Sequence, residues 1–196
     1  MLLDRRQFFI KEHVAFVKLT DTYDIIDPES GQPIGVAREE PAPWAKYARL
    51  LVNKQLMPTV VNVYEDEGSP PLITLRTGFK LFRKKVSVTN ARGEAIGRFE
   101  TKLMSFGVGF HVYDTRDNRV AEVKGDWKGW NFKFLDASGG EIGVVTKKWA
   151  GMGKEFFTSA DNYMIALSDH GDGGPDRVAL LLAAGLAIDI VFKEGS

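Results

Sequence analysis

The last apolar segment of the chain, VALLLAAGLAIDIVF at residues 178–192, limits the folds available to it more than any other feature. A helix that crosses a bilayer needs about 20 apolar residues, so a run of this length is more typical of a protein core. Asp189 interrupts the run, and a carboxylate in hydrocarbon is costly. Apolar residues cover every side of the helical wheel, as in a helix surrounded by protein. We therefore expect a buried core helix over about 175–193, begun by Pro175, and not a C-terminal membrane anchor.

The composition bounds the size of the protein and its chemistry. At 196 residues the chain has the length of one domain with a substantial core, and we expect a single domain over 1–196. The absence of cysteine excludes disulfides, thiol catalysis and cysteine-ligated metal sites. The opening MLLDRRQFFIKEH has charges throughout, which predicts that there is no signal peptide and that the protein is cytoplasmic.

The net charge of zero hides a pattern along the chain. Residues 1–75 hold eight basic and eleven acidic groups, and residues 156–196 hold two and six. Residues 76–155 hold sixteen basic groups against nine acidic ones. A basic middle between acidic ends fits an anionic partner, and it fits equally well two surfaces that face each other within the fold.

One local plan recurs in the chain: an apolar strand end, then Asp or Asn, a short polar turn, and Ile or Val followed by Gly or Ala. It is repeated in IIDPESGQPIGVARE (25–39), VTNARGEAIGRFE (88–100), VYDTRDNRVAEVKG (112–125) and FLDASGGEIGVVTK (134–147). Asp, Asn and Gly tolerate the positive φ angles of hairpin turns. The repeats therefore predict successive antiparallel hairpins and argue against βαβ units.

Twelve segments have the composition of strands. They are residues 8–10, 23–27, 33–39, 59–64, 72–76, 85–89, 95–101, 109–114, 119–124, 130–136, 141–148 and 162–167. A long antiparallel meander avoids exposed edges by closing into a barrel. Side chains alone fill a barrel of about eight strands, so a barrel of about twelve has room for a helix about 10 Å across. The sequence predicts a mainly β fold, a closed antiparallel barrel that encloses the C-terminal hydrophobic helix.

A second, short amphipathic helix is predicted at residues 43–56, ending before Pro58. Its charged residues are all basic: Lys46, Arg49 and Lys54. A basic amphipathic helix can lie in a membrane interface, or it can cover one end of a barrel with its lysine stems packed along the surface. The second arrangement is the more common one.

The segment RTGFKLFRKK at residues 76–85 is the strongest candidate for a binding site. It combines aromatic residues with five basic residues and no acid, and the basic residues are Arg76, Lys80, Arg83, Lys84 and Lys85. Cations beside exposed aromatics suit an anionic membrane surface. The alternative is a solvated hairpin whose aromatic side chains point into the core.

Signals for catalysis, nucleic-acid binding and metal binding are weak. The three histidines are scattered, and the chain has no HExxH, no G-x-S-x-G and no complete Walker motif. It also lacks a recognised nucleic-acid module. Asp161 and Asp169 are the metal candidates, but DHGDGGPD (169–176) lacks the alternating acids of a calcium loop. For Asp189 we expect a structural bond to an Arg, a Lys or a backbone amide inside the barrel, with a lipid-path or proton role as the alternative.

Three segments together resemble the phospholipid scramblase-like and LURP-one-related proteins, which share a superfamily with the tubby C-terminal domain. They are GDWKGWNFKF (125–134), VTKKWAGMGKEFFTSADNYMIAL (145–167) and LLLAAGLAIDIVFKE (180–194). The resemblance implies a twelve-stranded barrel around a C-terminal helix. In animal scramblases a proposed calcium-binding stretch corresponds to residues 159–167, but here Ser159 stands at the position of its first acid.

The resemblance and the basic segments together set the functional expectation. Tubby domains bind phosphoinositide head groups through basic residues, so we expect a non-enzymatic module that binds anionic phospholipid or phosphoinositide. It would act peripherally at the inner membrane face and need no cofactor, with calcium as the alternative. A true, calcium-dependent scramblase and a regulator that binds an acidic protein partner are the competing hypotheses.

Overall fold

All twelve predicted strands form, together with the C-terminal helix. The computed structural model describes residues 1–13, 20–40, 58–66, 68–78, 85–101, 108–126, 129–148, 162–168 and 174–192. The strands are β1 (Gln7–Glu12), β2 (Thr22–Ile26), β3 (Pro33–Glu39), β4 (Thr59–Tyr64), β5 (Ile73–Thr77), β6 (Lys85–Asn90), β7 (Ala95–Thr101), β8 (Val108–Tyr113), β9 (Arg119–Asp126), β10 (Asn131–Leu135), β11 (Glu141–Thr146) and β12 (Tyr163–Leu167). A short 3-10 helix, Leu2–Asp4, precedes them, and the helix α1 (Pro175–Phe192) follows. The predicted helix at 43–56 lies outside the described residues.

The strands form one closed antiparallel barrel. Each strand pairs with its neighbours in the chain, and β1 pairs with β12 to close the ring. Closure leaves no sheet edge exposed, which removes the usual site of strand-to-strand aggregation. The barrel predicted from the strand count is therefore confirmed.

The four repeated segments are hairpin turns with one shared geometry. Asp27, Asn90, Asp114 and Asp136 each accept, through the side chain, a hydrogen bond from the backbone N–H two residues later, over 2.8–3.3 Å. Each repeat also has a β-bulge one or two residues before this Asp or Asn. The repeated sequence plan thus encodes a repeated structural unit, because the same side chain closes each turn.

Helix α1 fills the inside of the barrel. Every residue from Val178 to Asp189 is buried, and its apolar side chains join the inward-facing residues of the strands in one core cluster. The packing leaves little space: a Cβ added to Gly97 on β7 would overlap the carbonyl oxygen of Tyr113 and lie 2.8 Å from Cδ1 of Leu180. The core helix expected from the terminal apolar segment is confirmed. Within the described residues, no helix has both the length and the hydropathy that crossing a membrane requires.

Candidate functional site

The two ends of the barrel differ in how they connect the strands. At one end, which we call the turn end, the five strand connections are 4–8 residues long, and the segment between β12 and α1 begins there as well. At the other, the loop end, six connections of 4–19 residues join the strands. Successive antiparallel strands run in opposite directions, so alternate connections must share an end. All four repeated hairpin turns therefore lie at the turn end.

Charge divides between these two ends. The six loop-end connections hold twelve Lys or Arg and four Asp or Glu, together with all four tryptophans of the chain. The five turns and the segment 168–174 hold two basic and eleven acidic residues and no aromatic one. Side-chain hydrogen bonds from Asn118 and Ser138 hold the pKa of Asp114 and Asp136 below the ordinary value, so these turn acids are ionised at neutral pH. The overall neutrality combines a basic end with an acidic end.

Two of the residues predicted to bind lipid are described, and both point outward. Arg76 on β5 and Lys85 on β6 are exposed, and their neighbours Leu75 and Val86 are buried in the barrel. Lys85 approaches Glu100 at 3.9 Å, whereas Arg76 forms no ion pair within the part of the chain that the structure describes. The other predicted lipid-binding residues lie outside the described residues: Lys80, Arg83, Lys84, Lys46, Arg49 and Lys54. The connections that contain them join strands at the loop end.

The predicted metal ligands cannot be placed. Asp161 and Asp169 both lie outside the described residues. Among the residues that are described, no group of three or more His, Asp or Glu side chains is arranged to hold a metal ion. Calcium binding therefore stays a prediction from the sequence.

Asp189, the acid that interrupts the apolar run 178–192, has a partner on the barrel wall. The hydroxyl of Tyr23 donates a hydrogen bond of 2.7 Å to Oδ2 of Asp189, and both side chains are buried. Burial, and then the nearby Asp189 carboxylate, raises the pKa of Tyr23 well above its usual value. Tyr23 therefore remains a neutral hydrogen-bond donor at physiological pH. The structure thus gives Asp189 a buried hydrogen-bond partner, and that partner is a tyrosine hydroxyl, a donor that the sequence analysis does not name.

A second buried tyrosine extends this cluster toward the loop end. Burial first, and then the charges of Asp189 and Glu12, raise the pKa of Tyr163. Its hydroxyl has no hydrogen-bond partner within the described ranges. Its ring lies 5.0 Å from that of Trp130, and Nζ of Lys147 lies 4.3 Å from the Trp130 ring on a cation–π contact. Contacts between side chains thus lead from the buried Tyr163 through Trp130 to Lys147 at the loop end.

A pocket of about 460 Å³ opens beside these contacts, on the outer face of β9, β10 and β11. Its lining residues are Asp126, Gly129, Asn131, Val144, Thr146 and Lys148. Asp126 pairs with Asn131 across β9 and β10, and Asn131 pairs with Thr146 across β10 and β11, so these three lie in one row. The pocket therefore presents a carboxylate on one strand and a lysine just beyond the end of another.

A second pocket of about 350 Å³ lies on the wall formed by β2 and β3 and the segments beside them. In this pocket Nε2 of His13 lies 2.8 Å from Oδ2 of Asp24, and Arg38, Glu65 and Asp66 are nearby. The lining mixes charges of both signs.

Sequence reasoning missed the pocket at the loop end. The segments that contain Trp130, Lys147 and Lys148 stood out as family motifs, but no spacing in the sequence relates Asp126 to Lys148. Only the pairing of three strands brings them to one surface. The sequence did contain a signal for this surface. WKGW (127–130) comes directly before β10, and KKW (147–149) comes directly after β11, the strand that pairs with β10.

Comparison with known proteins gives one finding. The family model described as Scramblase matches residues 20–195, which is nearly the whole chain. No curated protein and no solved structure matches the sequence.

Proposed function

The chain belongs to the scramblase family, and we propose that it is a non-enzymatic module whose loop end docks on anionic phospholipid. The separation of charge between the two barrel ends is the observation that carries this proposal. Phosphoinositide head groups carry the same anionic phosphate chemistry at a higher charge density. Docking would be peripheral, at the inner face of the cytoplasmic membrane.

The energetics of a basic surface near an anionic bilayer favour this orientation. Each Lys or Arg close to the surface contributes about 1 kcal/mol, and salt weakens that contribution. Twelve basic residues against four acidic ones at the loop end allow strong attraction even if only some of them reach the lipid. The acidic turn end would be repelled. The tryptophans add side chains that suit an interface with one apolar and one wet side.

Lipid translocation is the second candidate function, because it is the activity for which the family is named. The packing around α1 argues against a route through the barrel. Leu182, Ala183, Ala184 and Ile188 of the helix are fully buried, and Gly97 leaves no room for even one added carbon. A lipid path through the interior would require the helix to leave. Translocation would therefore take place along the outer surface of the barrel. A separate candidate partner is an acidic protein, which could bind to the same basic loop end.

Co-sedimentation with vesicles tests the docking proposal. We expect binding to vesicles of phosphatidylcholine with phosphatidylglycerol, and little binding to phosphatidylcholine alone. Replacing Arg76 and Lys85 by Gln should weaken binding by roughly tenfold or more, at about 1 kcal/mol per charge. The matched control replaces Arg92 and Arg116, two exposed basic residues of the turn end, and should leave binding unchanged. Equal, negligible binding to both kinds of vesicle would end the proposal.

Translocation needs a separate assay. Fluorescent lipid in reconstituted vesicles, measured with and without calcium, reports flipping directly. Flipping at a rate above that of protein-free vesicles would favour the second candidate, and a calcium dependence would support a site that includes Asp161 and Asp169. Docking without flipping would leave the binding module as the function.

A further inference from the structure

We propose that copies of this chain associate head to tail, so that the basic loop end of one barrel contacts the acidic turn end of the next. The partner is a second copy of the chain, and the proposal does not depend on docking to lipid. The loop-end connections hold twelve basic and four acidic residues, whereas the five turns and the segment 168–174 hold two basic and eleven acidic ones. The two ends of one molecule are therefore complementary in charge.

Acidic residues lie on opposite sides of the rim at the turn end. Four turns, two among β2–β5 and two among β8–β11, carry acids that form no ion pair among the described residues, and these acids are Glu29, Asp66, Asp114 and Asp136. By contrast, Glu94 in the turn between β6 and β7 already pairs with its neighbour Arg92. The turn end therefore presents unpaired negative charge around its rim rather than at one point.

Exposed cations lie on opposite sides of the loop end in the same way. Arg76 is next to the last residue of β5, and Lys148 lies two residues beyond the end of β11. Both are exposed, and neither forms an ion pair within the described part of the chain. In the closed ring β5 and β11 face each other across the barrel. Because both rims belong to one barrel and have a similar radius, a second copy stacked along the barrel axis places these cations over carboxylates.

The repulsion between like charges sets the polarity of this contact. Two turn ends would bring acid against acid, and two loop ends would bring base against base, so symmetric pairs are disfavoured. A contact between unlike ends is heterologous, and such contacts form open chains unless their rotation closes a ring. Exposed ion pairs are individually weak and are screened by salt. We therefore expect reversible association that increases with protein concentration and decreases with salt.

Analytical ultracentrifugation of the whole protein tests the association. At about 20 mM salt we expect the weight-average mass to rise with protein concentration beyond that of a dimer, and at about 500 mM salt we expect a monomer. A monomer at every salt concentration would overturn the proposal. An assembly that persists at the higher salt concentration would overturn it as well, because that assembly would need an apolar interface.

Two double variants test the polarity of the contact. The turn-end variant carries Glu29→Gln and Asp66→Asn, and the loop-end variant carries Arg76→Gln and Lys148→Gln; all four side chains are exposed. Each variant alone should associate about fivefold more weakly than the wild type, since each loses two exposed ion pairs per contact. An equimolar mixture should regain the wild-type affinity for dimers but not for longer assemblies, because only one kind of contact joins two intact ends. Undiminished association of either variant alone would overturn the head-to-tail arrangement.

A third double variant is the matched control at the turn end. Arg92→Gln with Arg116→Gln removes the two basic residues of the five turns and releases Glu94 from its ion pair. The turn end becomes more acidic, so association should strengthen, and a loss of association would contradict the proposal. Circular dichroism and thermal melting verify that each variant folds.

Vesicles distinguish this proposal from docking on lipid. The turn-end variant has an unchanged loop end, so at low protein concentration it should bind phosphatidylglycerol vesicles as the wild type does. Vesicle binding by a wild type that stays monomeric in solution would overturn the head-to-tail proposal and leave docking intact. Association in solution without vesicle binding would do the reverse, and would leave a second copy of the chain as the partner of the loop end.

Discussion

At the scale of single residues, the hydrogen bond between Tyr23 and Asp189 connects the barrel wall to its central helix. A buried carboxylate is costly unless it is paired, and this bond supplies a donor at 2.7 Å. The bond lies near the C-terminal end of α1, at the loop end of the barrel. Such a polar contact in an apolar core favours one register of the helix over others, because sliding the helix would separate the two groups.

Phenylalanine substitutions at the two buried tyrosines give a matched pair. Tyr23→Phe removes a donor from a buried carboxylate, so we expect it to lower the free energy of unfolding by about 1–3 kcal/mol. Tyr163→Phe removes a hydroxyl that has no hydrogen-bond partner among the described residues, so we expect a change near zero. Unfolding in urea measures both. Equal losses in the two variants would show that the hydrogen bond to Asp189 is not what stabilises the helix.

The residues of the candidate site show where sequence reasoning stops. Asp189 could be singled out because a single charge in an apolar run needs a partner, but its partner Tyr23 lies 166 residues away and no local pattern connects them. Arg76 and Lys85 were identified because they belong to one continuous basic segment. The pocket residues Asp126 and Lys148 were not, since only the register of three strands brings them together.

At the scale of secondary structure elements, the fold could be read from the sequence almost completely. The strands and turns alternate at short range, and each repeated turn is closed by its own Asp or Asn, so the information is local. Barrel closure followed from the strand count and the need to cover both edges. The position of α1 followed from its apolarity on all sides. The close approach of α1 to β7 could not be predicted from the sequence, because it depends on the shape of the packed core.

The close approach of α1 to β7 leads us to predict that a side chain at Gly97 destabilises the protein. A Cβ there would overlap the backbone oxygen of Tyr113 and lie 2.8 Å from Leu180. Gly97→Ala should therefore lower the free energy of unfolding by about 1–3 kcal/mol through overpacking. Gly78 has no atom within 4 Å of an added Cβ and is the control, so Gly78→Ala should be neutral or slightly stabilising. A neutral Gly97→Ala would mean that α1 can shift inside the barrel, which would reopen an interior path for lipid.

At the scale of the whole molecule, the protein is a barrel with oppositely charged ends. The charges counted along the chain show a basic middle segment. In the folded barrel, most of the basic residues in the connections between strands lie at the loop end. The reason is the alternation of connections: acidic turns and basic loops follow each other in sequence but collect at opposite ends in space. Neither the net charge nor the order of charges alone reveals this. The separation gives the molecule one preferred orientation in any external electric field.

Vesicles of opposite charge test this orientation. All four tryptophans lie in loop-end connections, so lipid-borne quenchers report which end meets the bilayer. On anionic vesicles we expect binding that is lost at high salt, together with quenching of tryptophan fluorescence, because the basic end faces the lipid. On cationic vesicles the acidic turn end should face the lipid, so binding should occur with little quenching. Equal quenching on both surfaces would show that charge separation does not orient the barrel, and docking would then need an uncharged, apolar cause.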